Sequence, residues 1–166
     1  MALKFLSNVK ARIYVFASLL LLILILLLMN NLYSFNEYNT KNINKYVISG
    51  YDTVAYFTQG TPTKGSKEHS YVWKDATWLF SSSEHLELFK ADPEKYAPQY
   101  GGYCAWAVAA KGKLFNIDPE IWKIVDGKLY LNYNKKVGEK WEADIPGFIS
   151  QADEKWPEIL SKKKKP

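Results

Sequence analysis

The most restrictive feature of this chain is a run of 17 residues, Ile13 to Met29, apolar apart from the small residues Ala17 and Ser18. As a helix it reaches roughly 25 Å at about 1.5 Å per residue, close to a hydrocarbon core of about 30 Å. Leu32, Tyr33 and Phe35 extend it into the far interface. It is apolar on every face, which argues against a buried amphipathic helix. Lys4, Lys10 and Arg12 precede it and Asn30-Asn31 follow it. That asymmetry predicts a single span with the N-terminus in the cytoplasm and the rest across the inner (cytoplasmic) membrane. A cleaved signal peptide is the competing reading, but the exit Met29 to Phe35 offers no pair of small residues at cut-site spacing. The expected organisation is a cytoplasmic basic segment (1–12), a signal anchor (13–35), a polar Asn-rich linker (36–45), a domain (46–160) and a basic tail (161–166).

Charge confirms the partition. The net +5 comes from the two ends, since residues 37–161 hold 15 basic and 17 acidic side chains. A pI near 9.1 is therefore no sign of a nucleic-acid-binding face. One cysteine and two histidines exclude an internal disulfide, an all-Cys metal site and a three-His site. No phosphate loop, dinucleotide fingerprint, nucleophile elbow or helical zinc-protease signature occurs.

Along the domain, Asp52 reads as a cap for a short helix at Val54 to Phe57 that ends at Gly60. His69 to Trp73 and Thr77 to Phe80 read as a hairpin. Ser81 to Glu84 offer caps for the next helix, which Asp92-Pro93 stops. Cys104 to Ala110 read as a helix with Gly112 as its C-cap. Asp118-Pro119-Glu120 reads as a turn. Asp126-Gly127 is a strong two-residue hairpin signal, and helices are expected over Lys135 to Ala143 and Ala152 to Leu160. No internal repeat of fixed period is visible. Hairpins flanked by helices argue an α+β fold with small antiparallel sheets.

Four stretches resemble the YHS domain family, nearest to its small exported bacterial members. They are Gly50-Tyr51-Asp52 with Tyr56-Phe57, Trp78-Leu79-Phe80-Ser81, Asp92 to Ala105 including Pro98-Gln99-Tyr100-Gly101-Gly102-Tyr103-Cys104, and Asp126 to Asn132. The resemblance runs from about Val47 to Trp156. It implies an association with metals, since the domain also occurs in copper-transporting ATPases and some monooxygenases. The metal-associated branch carries cysteines near Ala55, at Ser81 and at His85. This chain lacks those thiols, so the metal role does not carry over directly.

The candidate residues have two readings each. Cys104 is a thiolate nucleophile or soft-metal ligand, or a small buried hydrophobe beside Ala105. The second predicts a neutral thiol and a Cys104→Ser variant less stable than Cys104→Ala. His85 and His69 are metal ligands through neutral imidazole, or ordinary capped and surface residues. Cys104, His85 and His69 together would suit copper or zinc. Tyr100, Tyr103, Gly101 and Gly102 are the residues expected at a ligand cleft, while the other aromatics are assigned to packing. Asp118/Glu120 and Asp144/Asp153 are explained as turn and cap residues. The expected function is a membrane-anchored extracytoplasmic module that binds a metal ion or small ligand, with no catalytic residue assigned. The alternatives are a thiol-dependent enzyme or redox accessory using Cys104, and an interaction module for a membrane protein partner. The partner named by the sequence itself is the lipid bilayer.

Overall fold

The computed structural model describes residues 14–25, 37–40 and 45–164. The chain divides into two compact units, with 14–25 in one and the described residues from 37 onward in the other. Residues 14–25 are helical and exposed. Among the described residues no helix is long and apolar enough to cross a membrane. The ends of the expected anchor, Ile13 and 26–35, lie outside the described residues, as do 1–12, linker positions 36 and 41–44, and 165–166 of the basic tail.

The second unit is α+β with two separate two-stranded antiparallel sheets. A tight 3-10 turn, Val47–Gly50, leads to a short helix α1, Ala55–Thr58. Strands β1, Ser66–Trp73, and β2, Ala76–Phe80, form the first hairpin. Helix α2, Ser83–Ala91, starts where Ser82 Oγ accepts from His85 N at 3.2 Å. A short α3, Pro93–Tyr96, is capped by Asp92 and opens on proline, whose missing N–H is no loss there. A second 3-10 turn, Gln99–Gly102, leads to α4, Ala105–Lys111, closed by left-handed Gly112. Strands β3, Asp118–Val125, and β4, Lys128–Asn132, form the second hairpin. Asn134 caps α5, Lys135–Glu142, and α6, Ile145–Lys164, is the last described element.

These elements occur twice. The first 3-10 turn, β1 and β2 recur 52 residues later as the second 3-10 turn, β3 and β4, with the same bounds. The strand irregularity between Ser66 and Ser70 returns between Asp118 and Trp122. Left-handed backbone at Ile48-Ser49-Gly50 and Lys74-Asp75 returns at Tyr100-Gly101-Gly102 and Asp126-Gly127. Even the Asp92 cap on Lys95 N has its counterpart in Asp144 on Gly147 N. The expectation of no repeat is thus corrected. Few side chains are shared at this spacing, among them Gly50/Gly102, Tyr51/Tyr103, Gly60/Gly112 and Leu79/Leu131. The repeat is preserved in backbone conformation, which those few residues secure, and not in composition.

The halves meet through their 3-10 turns. A Cβ on Gly102 would stand 2.7 Å from Ile48 Cγ2, so this approach requires glycine. One core gathers Trp78, Phe80 and Phe89 of the first half with Leu129 and Leu131 of the second. The other gathers Tyr103, Val108, Tyr130 and Trp141 with α6 residues such as Ala152.

Two local expectations are also corrected. Asp118-Pro119-Glu120 opens β3 and is not a turn. Proline is tolerated at a strand start on an edge. The last helix begins seven residues before Ala152, because Pro146 lies in its first turn, where no N–H is needed. It also continues through Pro157, which carries no N–H to continue the ladder.

Candidate functional site

Each half builds a small centre where its short helix meets the end of its hairpin. In the first half, fully buried Asp52 caps α1, and Oδ1 accepts from Val54 N (2.9 Å) and Ala55 N (3.3 Å). Oδ2 accepts from Ser81 N (2.8 Å) and Ser81 Oγ (2.6 Å), and stands 2.6 Å from His85 Nδ1. The other ring nitrogen, Nε2, lies 3.0 Å from Thr58 Oγ1, which also donates to Val54 O. His85 is buried, although it follows the N-terminus of an otherwise amphipathic helix. The carboxylate thus ties α1, β2 and α2 together. Ala55, Ser81 and His85 all adjoin this one carboxylate.

This donor set does not fit a copper or zinc ion. Asp52 already holds five hydrogen-bonding neighbours, and both nitrogens of His85 are engaged. Among the described residues no three His, Cys, Asp or Glu side chains are grouped to hold a metal. Cys104, His85 and His69 are therefore not brought together. His69 sits half-buried on β1.

The second half places Cys104 where the first places Asp52. Its side chain is fully buried, and Sγ donates to Asn132 Oδ1 at 3.6 Å, an oxygen that also accepts from Trp106 N at 3.1 Å. Burial pushes the Cys104 thiol up. The N–H groups of Ala107, Tyr133 and Trp106 and the charge of Lys111 pull the other way and lose. The thiol is therefore neutral near pH 7. Its partner is Asn132, and among the described residues no base is hydrogen-bonded to the sulfur as in an activated thiol nucleophile.

In front of Cys104 lies a cavity of about 560 Å³, walled by Trp106, Leu114, Phe115, Tyr133 and Val137 and edged by Lys111 and Lys140. That volume lies within the ~300–1,000 Å³ usual for small-molecule sites. Phe115 and Tyr133 are 39% and 50% exposed, and with Val72 they are the large apolar side chains left open in the described residues from 37 onward. Two of the three rim this one cavity.

The expected Tyr100 cleft is smaller. Tyr100 and Gly101 line a cavity of about 150 Å³ with Tyr38, Asp153 and Trp156. Tyr100 Oη donates to Asp153 Oδ1 at 2.8 Å. Burial, with the Asp153 bond next in weight, pushes that phenol up. Tyr103 and Gly102 are not part of it. Tyr103 is buried, and its hydroxyl accepts from Lys163 Nζ at 2.8 Å. Sequence reasoning missed the Asp52 network beyond its capping role, and missed Lys111 and Lys140. The signals were Ser81 and His85, both long-range partners of Asp52.

Comparison with curated proteins and with solved structures gives no match. The family model of the YHS domain matches residues 54–100, most of the first repeat and the first two residues of the second. Residues 54–100 thus match the YHS domain model, which is consistent with a YHS domain-containing protein.

Proposed function

We propose that this protein is a membrane-tethered binding module. An N-terminal helix lies in the inner membrane, and the YHS-bearing unit faces the periplasm or exterior. There it binds a small organic ligand in the cavity in front of Cys104 and does no chemistry on it. The tether rests on the apolar run and its basic flank. The ligand site rests on one observation, the aromatic-rimmed cavity of about 560 Å³. Metal binding is disfavoured by the saturated hydrogen bonding of Asp52 and His85. Thiol catalysis is disfavoured by a neutral Cys104 bonded to Asn132.

The test begins with the full-length chain extracted from membranes under anaerobic, reducing conditions. Intact mass should include residues 1–35, elemental analysis should show far less than one copper or zinc per chain, and a set of small aromatics should raise the melting temperature. Trp106→Leu should abolish that rise. Stoichiometric metal that disappears in His85→Ala would establish the metal reading instead. Soluble protein beginning near Asn36 would remove the tether.

A further inference from the structure

The repeat identifies what the second centre lacks. Around Asp52 the backbone N–H groups of Val54, Ala55 and Ser81 converge on a carboxylate. Fifty-two residues on, Trp106 N donates to Asn132 Oδ1, which also accepts from Cys104 Sγ, and the backbone N–H groups of Trp106, Ala107 and Tyr133 favour the thiolate without outweighing burial. The first cradle holds an anion and is closed by Ser81 and His85. The second holds a neutral thiol, and the positions equivalent to Ser81 and His85 are Tyr133 and Val137, which line an open cavity.

The charge around that cavity is one-sided. Lys111 and Lys140 each place Nζ 5.3 Å from the centre of the Trp106 ring. Lys111 Nζ is also 5.2 Å from the centre of Phe115. Among the described residues neither lysine forms an ion pair, and no Asp or Glu lines the cavity. Two ammonium groups beside one ring make a locally positive rim, which an anion bound there would offset. The aromatic wall supplies a flat apolar surface of matching shape.

We infer that the second repeat binds a small planar organic anion, its carboxylate paired with Lys111 and Lys140 and its flat face against Trp106. This rests on the reading of the protein as a small-ligand module and adds the ligand's chemical class. The cavity is the counterpart of the Asp52 centre, with the negative charge brought in by the ligand and placed nearer the surface. The two halves thus use one scaffold for different ends, the first closed by its own side chains and the second receptive.

The test uses the full-length chain in a non-ionic detergent and two flat probes of equal size, 2-naphthoate and 2-naphthamide, followed by titration calorimetry. Naphthoate should bind one per chain and at least tenfold more tightly than the amide. Lys111→Gln and Lys140→Gln should each weaken naphthoate by roughly five- to tenfold, the loss of one partly exposed charge pair, and leave naphthamide unchanged. Both lysines are exposed, so these variants should melt where the parent does. Equal affinity for the two probes, or naphthoate binding unmoved in the double lysine variant, would overturn the anionic class while leaving the cavity as a ligand site. Absence of any saturable binding that Trp106→Leu removes would overturn both.

Discussion

Removing the Asp52 carboxylate should be the most damaging single change in the folded unit outside its large aromatic residues. Asp52→Ala strands three backbone donors, Val54 N, Ala55 N and Ser81 N, in a buried site. Each costs about 1–3 kcal/mol if it finds no partner. Ser81 Oγ has an alternative partner in His85 Nδ1 at 3.3 Å, so the hydroxyl adds little. Water entering the vacated volume relieves part of the rest, leaving a loss of about 3–5 kcal/mol. That is a large share of the 5–15 kcal/mol typical of a domain, and corresponds to roughly 10–20 °C in melting temperature. Asp52→Asn keeps the Oδ1 bonds but turns an amide N–H toward Ser81 N–H, at a cost of about 2–3 kcal/mol. His85→Ala removes one donor and leaves four, so it should cost less than either. Denaturant unfolding followed by circular dichroism orders the three variants. An Asp52→Ala loss below about 1 kcal/mol, or no larger than that of His85→Ala, refutes the view that this carboxylate organises the first half.

Gly127→Val should cost about 1–2 kcal/mol through its left-handed backbone alone, since φ is +72° and no atom lies within 4 Å of a Cβ there. Gly127→Asp should cost less than half of that in the same unfolding assay, because the first hairpin makes its equivalent turn with Asp75 at φ 57°. Alkaline stability should fall from about pH 10 upward. Burial pushes Tyr103 and Tyr130 from 10.0 up to about 12. Their protons are kept by the native state and lost by the unfolded state across that window, so stability is complete below pH 10 and declines as pH rises. Denaturant midpoints at pH 9, 10 and 11 measure the slope, and Tyr130→Phe should reduce it. Cys104 should alkylate slowly with a bulky maleimide at pH 7 and rapidly after unfolding, as mass spectrometry would read; native labelling at the rate of a free thiol contradicts its burial.

Local signals in the sequence were reliable where one residue decides the backbone. Ser82 at a cap, Gly112 at a helix end and Asp126-Gly127 in a turn each fix conformation through their own chemistry. The repeat is hard to read from side chains because several of its left-handed positions are held by residues other than glycine. Ile48 and Tyr100 hold the same conformation with different side chains, at φ 42° and 53°. The partner of His85 was invisible because Asp52 is 33 residues away and its helix-capping role already explained it. For Cys104 the apolar neighbours Ala105 and Trp106 suggested a site in which serine is worse than alanine. Asn132 Oδ1 beside the sulfur offers a hydroxyl a partner, which lowers the expected cost of serine there.

Leu129 and Leu131 belong by sequence to the second half and by packing to the core of the first. Neither half can therefore bury its apolar surface without the other, although both are built on one pattern. Folding should be a single cooperative transition with no populated half-folded species. A polypeptide cut near Pro98 should yield two pieces that are each unstructured alone and assemble when mixed. That behaviour would make this unit a natural split reporter, whose signal depends on one leucine-bearing strand finding its slot.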